Sequence, residues 1–461
     1  MEFHRLNEKD KKHLKSLVIS DCFSTGESNL DLHSMDMSRH PPSRPDVVMW
    51  PSDRTELSEI LHYANKRLIP VTAWGAGSSL EGNPIPVKGG IVLDFSRMNR
   101  IIALRRDDFQ VDVEPGVIYK DLNRELRHTG LFFPPDPGAS ATIGGMIANN
   151  ASGIRTVRYG STKDYILRMT IVLADGQIVQ IGNRASKSSS GFDLLHLFVG
   201  SEGMLGVVAE ATLRLVGIQE EIASAVATFP MVKDASKAVF EIIRAGLDPA
   251  ALELLAPECI KLINLEKKLD LTISPTLFME FHGPTKNQLT EVLELVREIC
   301  DQKGCEEFRP GIEKAERDRF LDARYALGEL IANHHTDQER IVIDVAVPVS
   351  TYPEMIVFAA EEARKVKTAM AYTFGHAGDG NIHLVIGAKE GAPEWTRIEE
   401  ANNRIVTKAL ELGGTATGEH GVGIGKAKFM DLEHGDALEW MKKVKSLFDP
   451  NGILNPGKMF P

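Results

Sequence analysis

Apolar positions fall into two rhythms along this chain, and the change comes near residue 219. In the first half, "RPDVVMW" and "LIPVTAWGAG" flank an amphipathic stretch that opens on Ser and Asp. This predicts a strand, a helix and a second strand ending in glycines. The runs "GGIVLDFS", "RIIALR" and "QVDVEPG" are short, β-branched or alternating, and broken by turn residues, which predicts antiparallel pairing rather than another crossover. Ile118, Leu122 and Leu126 mark a helical face closed by Gly130, and "DYILRMTIVLADGQIV" predicts a hairpin about Asp175 and Gly176. Residues 132–160, crowded with Pro, Gly, Ser and Asn, have too little periodicity for a plain strand or helix. A loop of that length in a compact domain is usually functional.

Beyond residue 219 the order becomes strand, helix, strand, and it repeats. "ASAVATF" precedes a helix with Val232, Ala235, Val239, Ile242 and Ile243 on one face, then "AALELLA". "TLFMEFHG" precedes a helix with Leu289, Val292, Leu293, Val296 and Ile299, then "CEEFRPG". The layout predicts a split βαβ, ferredoxin-like domain. A third round, "RIVIDVAVPVS" and a helix through residue 367, leads to "TFGHAGDGNIH", two strands about a Gly-Asp-Gly turn. On a predicted helix over residues 316–335, Phe320, Arg324, Leu327 and Ile331 share one stripe, so Arg324 sits among apolar residues. From the pattern alone such an arginine snorkels or pairs with a nearby carboxylate.

Composition narrows the class. At 461 residues the chain predicts roughly two to four domains, and 43% hydrophobic against 25% charged residues supplies real cores. A net charge of -11 argues against nucleic acid or an anionic lipid surface as the main partner, although a local site can still bind an anion. The first residues lack a signal-peptide core, and no apolar run reaches the ~20 residues needed to span a bilayer. A cytoplasmic protein is expected, with peripheral attachment to a membrane left open. Cys22, Cys259, Cys300 and Cys305 form no C-x-x-C pair, so neither a zinc ribbon nor an iron–sulfur cluster is suggested. Electrons, if any move, need another carrier.

Two glycine loops and two histidine segments hold the candidate chemistry. "PVTAWGAGSSLEG" offers G-x-G, but Pro84 and Pro86 forbid the helix that a Rossmann fingerprint requires. The alternatives are a tight turn or a phosphate nest of Gly75, Ala76, Gly77, Ser78 and Ser79. Pro137, Gly138, Ala139, Ser140, Ala141, Thr142, Gly144 and Gly145 form a second loop of the same kind. Two nests match two phosphates, which favours a pyrophosphate ligand. In "GHAGDGNIH" and "TATGEHGVGIGK", His376, His383, Glu419 and His420 stand among glycines that serve no apolar core but let backbone approach a ligand. Two imidazoles with a carboxylate suit a first-row metal with open positions. Asp379 either orients a ligating histidine or only shapes its turn.

The segments "PVTAWGAGSSLEG", "PDPGASATIGGMIANNASGIRTVRYG" and "GSEGMLGVVAEATLRL" resemble the three signatures of the FAD-binding domain of the vanillyl-alcohol oxidase / p-cresol methylhydroxylase superfamily. The latter half resembles the C-terminal domain of its D-lactate dehydrogenase, glycolate oxidase and D-2-hydroxyglutarate dehydrogenase branch. The resemblance implies an α+β fold. A p-cresol-methylhydroxylase-type FAD-binding domain of two α+β subdomains would span residues 1–219, with signatures from about residue 43. A ferredoxin-like substrate domain would span 220–461, its last segment returning toward the flavin.

By the same resemblance, residues 75–79 and 137–153, including Asn149, Ser152 and Gly153, would wrap the pyrophosphate and ribityl chain of FAD. Glu202, Gly203, Gly206 and Val208 would lie along its ring systems. Relatives with covalent flavin carry a His where Ser78 stands, so non-covalent FAD is expected. The resemblance assigns His376, His383 and Glu419 to a divalent metal, zinc or manganese, His420 to the general base and Arg324 to the substrate carboxylate. The implied reaction is oxidation of a small D-2-hydroxy acid. Hydroxyglutarate-specific relatives carry Asn and Thr where this chain has Val385 and Gly328, which points to D-lactate or glycolate. D-2-hydroxyglutarate oxidation and metal-dependent hydrolysis without redox chemistry remain alternatives. Electrons would pass to oxygen, a quinone at a membrane surface, an electron-transfer flavoprotein or a separate iron–sulfur subunit, and a homodimer is admitted.

Overall fold

The first unit is built on a parallel core of three short strands. The computed structural model describes residues 2–368 and 370–460, and its chain divides into two compact units. One comprises Met1–Ser152, Ser161–Ile218 and Glu419–Pro461; the other comprises Gly153–Gly160 and Gln219–Gly418. In the first, Ile91–Asp94 lies between Val47–Met49 and Val71–Trp74 and pairs parallel with both. This corrects the antiparallel expectation for "GGIVLDFS". All four residues of the strand are buried, and a strand covered on both faces reads as a continuous apolar run, the habit of parallel sheets.

The predicted helix is Arg54–Arg67, capped by the Asp53 side chain and burying Leu57, Ile60, Leu61 and Ala64. A second, five-stranded sheet is antiparallel and contains the expected hairpin, Ile166–Val172 with Ile178–Gly182. The last segment adds to the parallel sheet: Val71 N–H donates to the Ile453 carbonyl at 2.8 Å, and Ile453 and Leu454 join the core beneath.

Residues 132–160 are more regular than their composition predicts. They contain the helices Ile143–Asn149 and Thr156–Tyr159. Thr142 caps the first, and Ile143, Met146 and Ile147 bury its inner face. The second glycine loop therefore runs into a helix, whereas residues 75–83 do not.

The second unit is a seven-stranded antiparallel sheet. Its order is Glu307–Gly311, Glu221–Thr228, Thr276–Gly283, Ala251–Leu255, Met370–His376, Asn381–Ala388 and Glu339–Ala346. The first four make the ferredoxin-like arrangement, with Thr276–Gly283 inserted between two strands that a helix joins. The third round repeats the device: Asn381–Ala388 lies between Glu339–Ala346 and Met370–His376. The helix expected over 316–335 is two helices, Lys314–Tyr325 and Leu327–His334, parted at Ala326. Phe320, Leu327 and Ile331 are buried as the stripe requires, in a cluster with Phe278, Phe374 and Val385.

Register then places the chemistry. Glu253 stands opposite His376, and His383 stands opposite both Phe374 and Asp344. Alternation puts Phe374 and His376 on one face. Glu253, His376, His383 and Asp344 therefore share that face across four consecutive strands.

Candidate active-site residues in each unit

In the first unit the three signature segments meet. A side chain at Gly75 would place its Cβ 2.4 Å from Thr142 Oγ1, so the two glycine loops touch where only glycine fits. Ala76, Gly138, Ser140 and Gly145 are exposed, while Gly75, Gly77, Ser78, Ser79, Pro137 and Gly144 are half-buried. Small side chains thus leave a strip of backbone open to a ligand, as a pyrophosphate cradle needs. The Ser79 hydroxyl is engaged, donating to Asn83. Thr142 Oγ1 accepts from Gly145 N–H at 3.2 Å.

The third segment is fastened to the same helix. Gly200 N–H donates to the Ile147 carbonyl and Glu202 N–H to the Ala148 carbonyl, each at 2.8 Å. Gly206 is buried against Phe198, and Val208 is half-buried on its strand. Gly203 lies beside Ala73. Gly153 falls in the second unit, and its N–H donates to Thr156 Oγ1 at 2.9 Å.

The Glu-His segment packs onto this cradle within the first unit. Asn149 Nδ2 donates to the His420 carbonyl at 3.0 Å, and Ser152 Oγ donates to Glu419 Oε2 at 3.1 Å. Glu202, 5% exposed, accepts from Val422 N–H at 2.6 Å and from Gly423 N–H at 3.0 Å. Burial raises the Glu202 carboxyl above its ordinary range, against the pull of those two backbone donors. Gly423 has φ +49°, and a Cβ there would lie 2.1 Å from the Glu81 carbonyl oxygen. Behind it, Lys458 donates to Asn455 Oδ1, and Asn455 Nδ2 donates to the Glu202 carbonyl. The carboxylate of Glu202 therefore holds a loop, while its backbone borders the cradle.

In the second unit a buried ionic cluster occupies the shared sheet face. Arg324 is 6% exposed and Glu253 1%. Arg324 Nε donates to Glu253 Oε2 at 2.8 Å and Nη2 donates to the same oxygen. His376 Nδ1 lies 2.8 Å from Oε1 and 2.9 Å from Oε2 of Glu253. Desolvation pushes the Glu253 carboxyl up, but Arg324 and then His376 outweigh it and hold it below the ordinary range. The Phe374 ring lies 5.2 Å from the Arg324 guanidinium carbon.

The His376 and His383 rings are 5.0 Å apart and nearly perpendicular. His383 Nδ1 faces Asp344 Oδ1 at 3.7 Å, and Asp344 is held by Asn381 Nδ2 at 2.7 Å and Thr417 Oγ1 at 3.0 Å. A carboxylate on the Nδ1 side of an imidazole directs Nε2 to a metal. Glu253 backs His376 in this way at hydrogen-bond distance, while Asp344 faces His383 from farther off; two imidazoles beside carboxylates fit a divalent first-row ion. The Tyr352 hydroxyl and Asn381 Oδ1 are buried near this cluster without a partner among the described residues, a pattern that asks for a further bonding group. Asp379 Oδ1 accepts from Asn381 N–H at 3.4 Å, a contact that shapes the turn. Glu419 follows Gly418 directly in the chain and belongs to the first unit.

Sequence reasoning missed Glu253 and Asp344. Each is a single carboxylate within an apolar strand, in "AALELLA" and "RIVIDVAVPVS". A charge in such a run is costly unless paired, and that was the available signal.

Residues 218–459 match the family described as FAD linked oxidases, C-terminal domain, and residues 45–182 match FAD binding domain. The chain is 36% identical over 452 residues to "Probable D-lactate dehydrogenase, mitochondrial" of Danio rerio, covering 96% of this chain and 90% of that protein. It is 36% identical over 456 residues to "Glycolate oxidase subunit GlcD" of Bacillus subtilis, covering 98% and 96%. Among solved structures, 4-ethylphenol oxidase from Gulosibacter chungangensis is similar in fold, with TM-score 0.79 at 17% identity, covering 98% of this chain and 96% of that one.

Proposed function

Because the chain belongs to the FAD-linked oxidase family, we propose that it oxidises a small D-2-hydroxy acid, D-lactate or glycolate, to the 2-oxo acid. The observation that carries this reading is the fastening of Glu419–Gly423 into the glycine-loop cradle by Asn149, Ser152 and Glu202. Residues suited to proton transfer and residues suited to a dinucleotide thus form one structure. The names of the two relatives, a D-lactate dehydrogenase and a glycolate oxidase subunit, support the substrate class.

FAD, held non-covalently by the loops at 75–79 and 137–152 and the segment 202–208, would supply the hydride acceptor. A divalent ion such as zinc or manganese, on His376, His383 and Glu419, would supply Lewis acidity that makes a bound hydroxyl easier to deprotonate. His420 takes the hydroxyl proton, a role that imidazole suits because its unperturbed pKa of ~6.5 lies near working pH. Arg324 fixes the substrate carboxylate through charge-assisted hydrogen bonds and so orients the Cα–H bond. Buried Val385 packs in the apolar cluster, and Gly328 has open space where a side chain would be. Neither offers a polar partner to a distal carboxylate, which favours a monocarboxylate.

The electron acceptor would be a quinone, an electron-transfer flavoprotein or an iron–sulfur subunit. No helix among the described residues is long and apolar enough to cross a membrane. Steady-state assays with D- and L-2-hydroxy acids and an artificial dye as acceptor test the reading. D-Lactate or glycolate should be preferred over D-2-hydroxyglutarate. Turnover of none of these acids by protein loaded with FAD and metal would overturn it.

A further inference from the structure

Arg324 and His376 are joined by a carboxylate that no part of the mechanism above uses. Glu253 lies in Ala251–Leu255, a strand whose five residues are all buried, where a charge persists only if paired. It meets two unlike groups. On the guanidinium it occupies the Nε and Nη2 edge through Oε2. The described residues give Nη1 no hydrogen bond, so Nη1 and the second proton of Nη2 form a fork for another carboxylate. On the imidazole, Glu253 accepts the Nδ1 proton at 2.8 Å, which fixes the tautomer in which Nε2 is the basic, metal-ligating nitrogen.

We propose that Glu253 is a positioning residue that sets the spacing between the carboxylate-binding fork of Arg324 and the metal-binding nitrogen of His376, and thereby selects acids whose hydroxyl is on the carbon next to the carboxylate. The inference rests on the 2-hydroxy-acid reading and deepens it. One carboxylate group spans both partners, so neither can shift without the other. A 3-hydroxy acid carries its hydroxyl one carbon farther along, a displacement of about 1.5 Å. Pre-organised sites hold their groups to roughly 0.5 Å, so that displacement is not absorbed. Phe374 beneath the guanidinium, 5.4 Å from the His383 ring, stiffens the same arrangement.

The test compares wild type with Glu253→Gln, both carrying FAD. Glutamine keeps the shape but removes the charge and one of the two acceptors. D-Lactate and D-3-hydroxybutyrate are the substrate probes, and cobalt(II), followed by its visible absorption after chelation of the resident metal, is the metal probe. The expected result is a ~10- to 100-fold rise in KM for D-lactate with a ~10- to 100-fold loss of cobalt affinity. The preference for D-lactate over D-3-hydroxybutyrate should narrow at least ~10-fold, with flavin content unchanged. A merely structural role would lower the amount of folded protein and leave KM and cobalt affinity in what remains unaltered; that outcome overturns the inference while the 2-hydroxy-acid reading stands. If wild type oxidises neither D-lactate nor glycolate, the reading itself fails and the inference with it.

A measurement on the unaltered chain does not depend on the variant folding. In metal-free wild type with 15N-labelled histidine, the resonances lost in His376→Gln should report the Nδ1–H tautomer. An Nε2–H tautomer would overturn the proposal.

Discussion

Replacing Arg324 by Met tests whether the buried pair is kept for function rather than stability. The two side chains are 7% and 1% exposed, so removing the guanidinium strands a carboxylate away from water with only His376 to neutralise it. Breaking one side of such a pair costs about 3–5 kcal/mol. Glu253→Met strands the guanidinium and should cost a similar amount. The double variant replaces both charges with apolar side chains of fitting length, in a neighbourhood that already contains Phe320, Phe374 and Val385. Its remaining penalty is the lost acceptor for His376 Nδ1, about 1–3 kcal/mol. The pair should therefore show a coupling of at least ~3 kcal/mol in a double-mutant cycle. Urea unfolding followed by circular dichroism, with FAD in excess, reads these values from the transition of the second unit. All three variants should be inactive. A double variant as unstable as the sum of the singles would refute the reasoning, because additivity would mean that the two side chains contribute independently rather than as a pair.

Three further outcomes follow from the site residues. Glu419→Gln and His383→Ala should each lower metal content and turnover while bound FAD persists, checked by elemental analysis and flavin absorbance on the same sample. His420→Asn should still bind substrate but slow flavin reduction by roughly 10²-fold or more in stopped-flow measurements, the scale for losing a general base. Burial pushes the Lys458 ammonium from its ordinary 10.5 down to about 7, against the attraction of Glu202 and Asp36. Between those values the unfolded chain binds a proton that the folded chain has released, so this group makes stability rise with pH across that window. Lys458→Met should flatten that rise, and equal slopes for variant and wild type in urea unfolding between pH 7 and about 9.5 would contradict the assignment.

Much of the second unit was legible because its periodicity is strong. The helix Val232–Arg244 buries Ala235, Val239 and Ile242, and Lys286–Gln302 buries Leu289, Leu293 and Val296, as the spacing requires. The first unit was less legible. A central parallel strand such as Ile91–Asp94 has no alternation to distinguish it from an antiparallel one, and partner choice is a tertiary fact. The short helix Ile143–Asn149 hides behind two glycines at its start, and only the Thr142 cap betrays it. His376, His383, Glu419 and His420 stood out because glycines surround them. Glu253 and Asp344 did not, because their partners, Arg324 and Asn381, are 71 and 37 residues away in sequence. The carboxylate that links guanidinium to imidazole became visible only when strand register set Glu253 opposite His376.

The central claim is that this chain removes hydride from a D-2-hydroxy acid and gives it to its own flavin. Anaerobic addition of D-lactate, and separately of glycolate, to the purified protein carrying FAD and metal tests it in a single turnover. The account predicts that at least one acid bleaches the flavin's visible absorption, and that chelation of the metal beforehand prevents the bleaching. A flavin that stays oxidised with both acids, or that bleaches equally well after complete removal of metal, would contradict it.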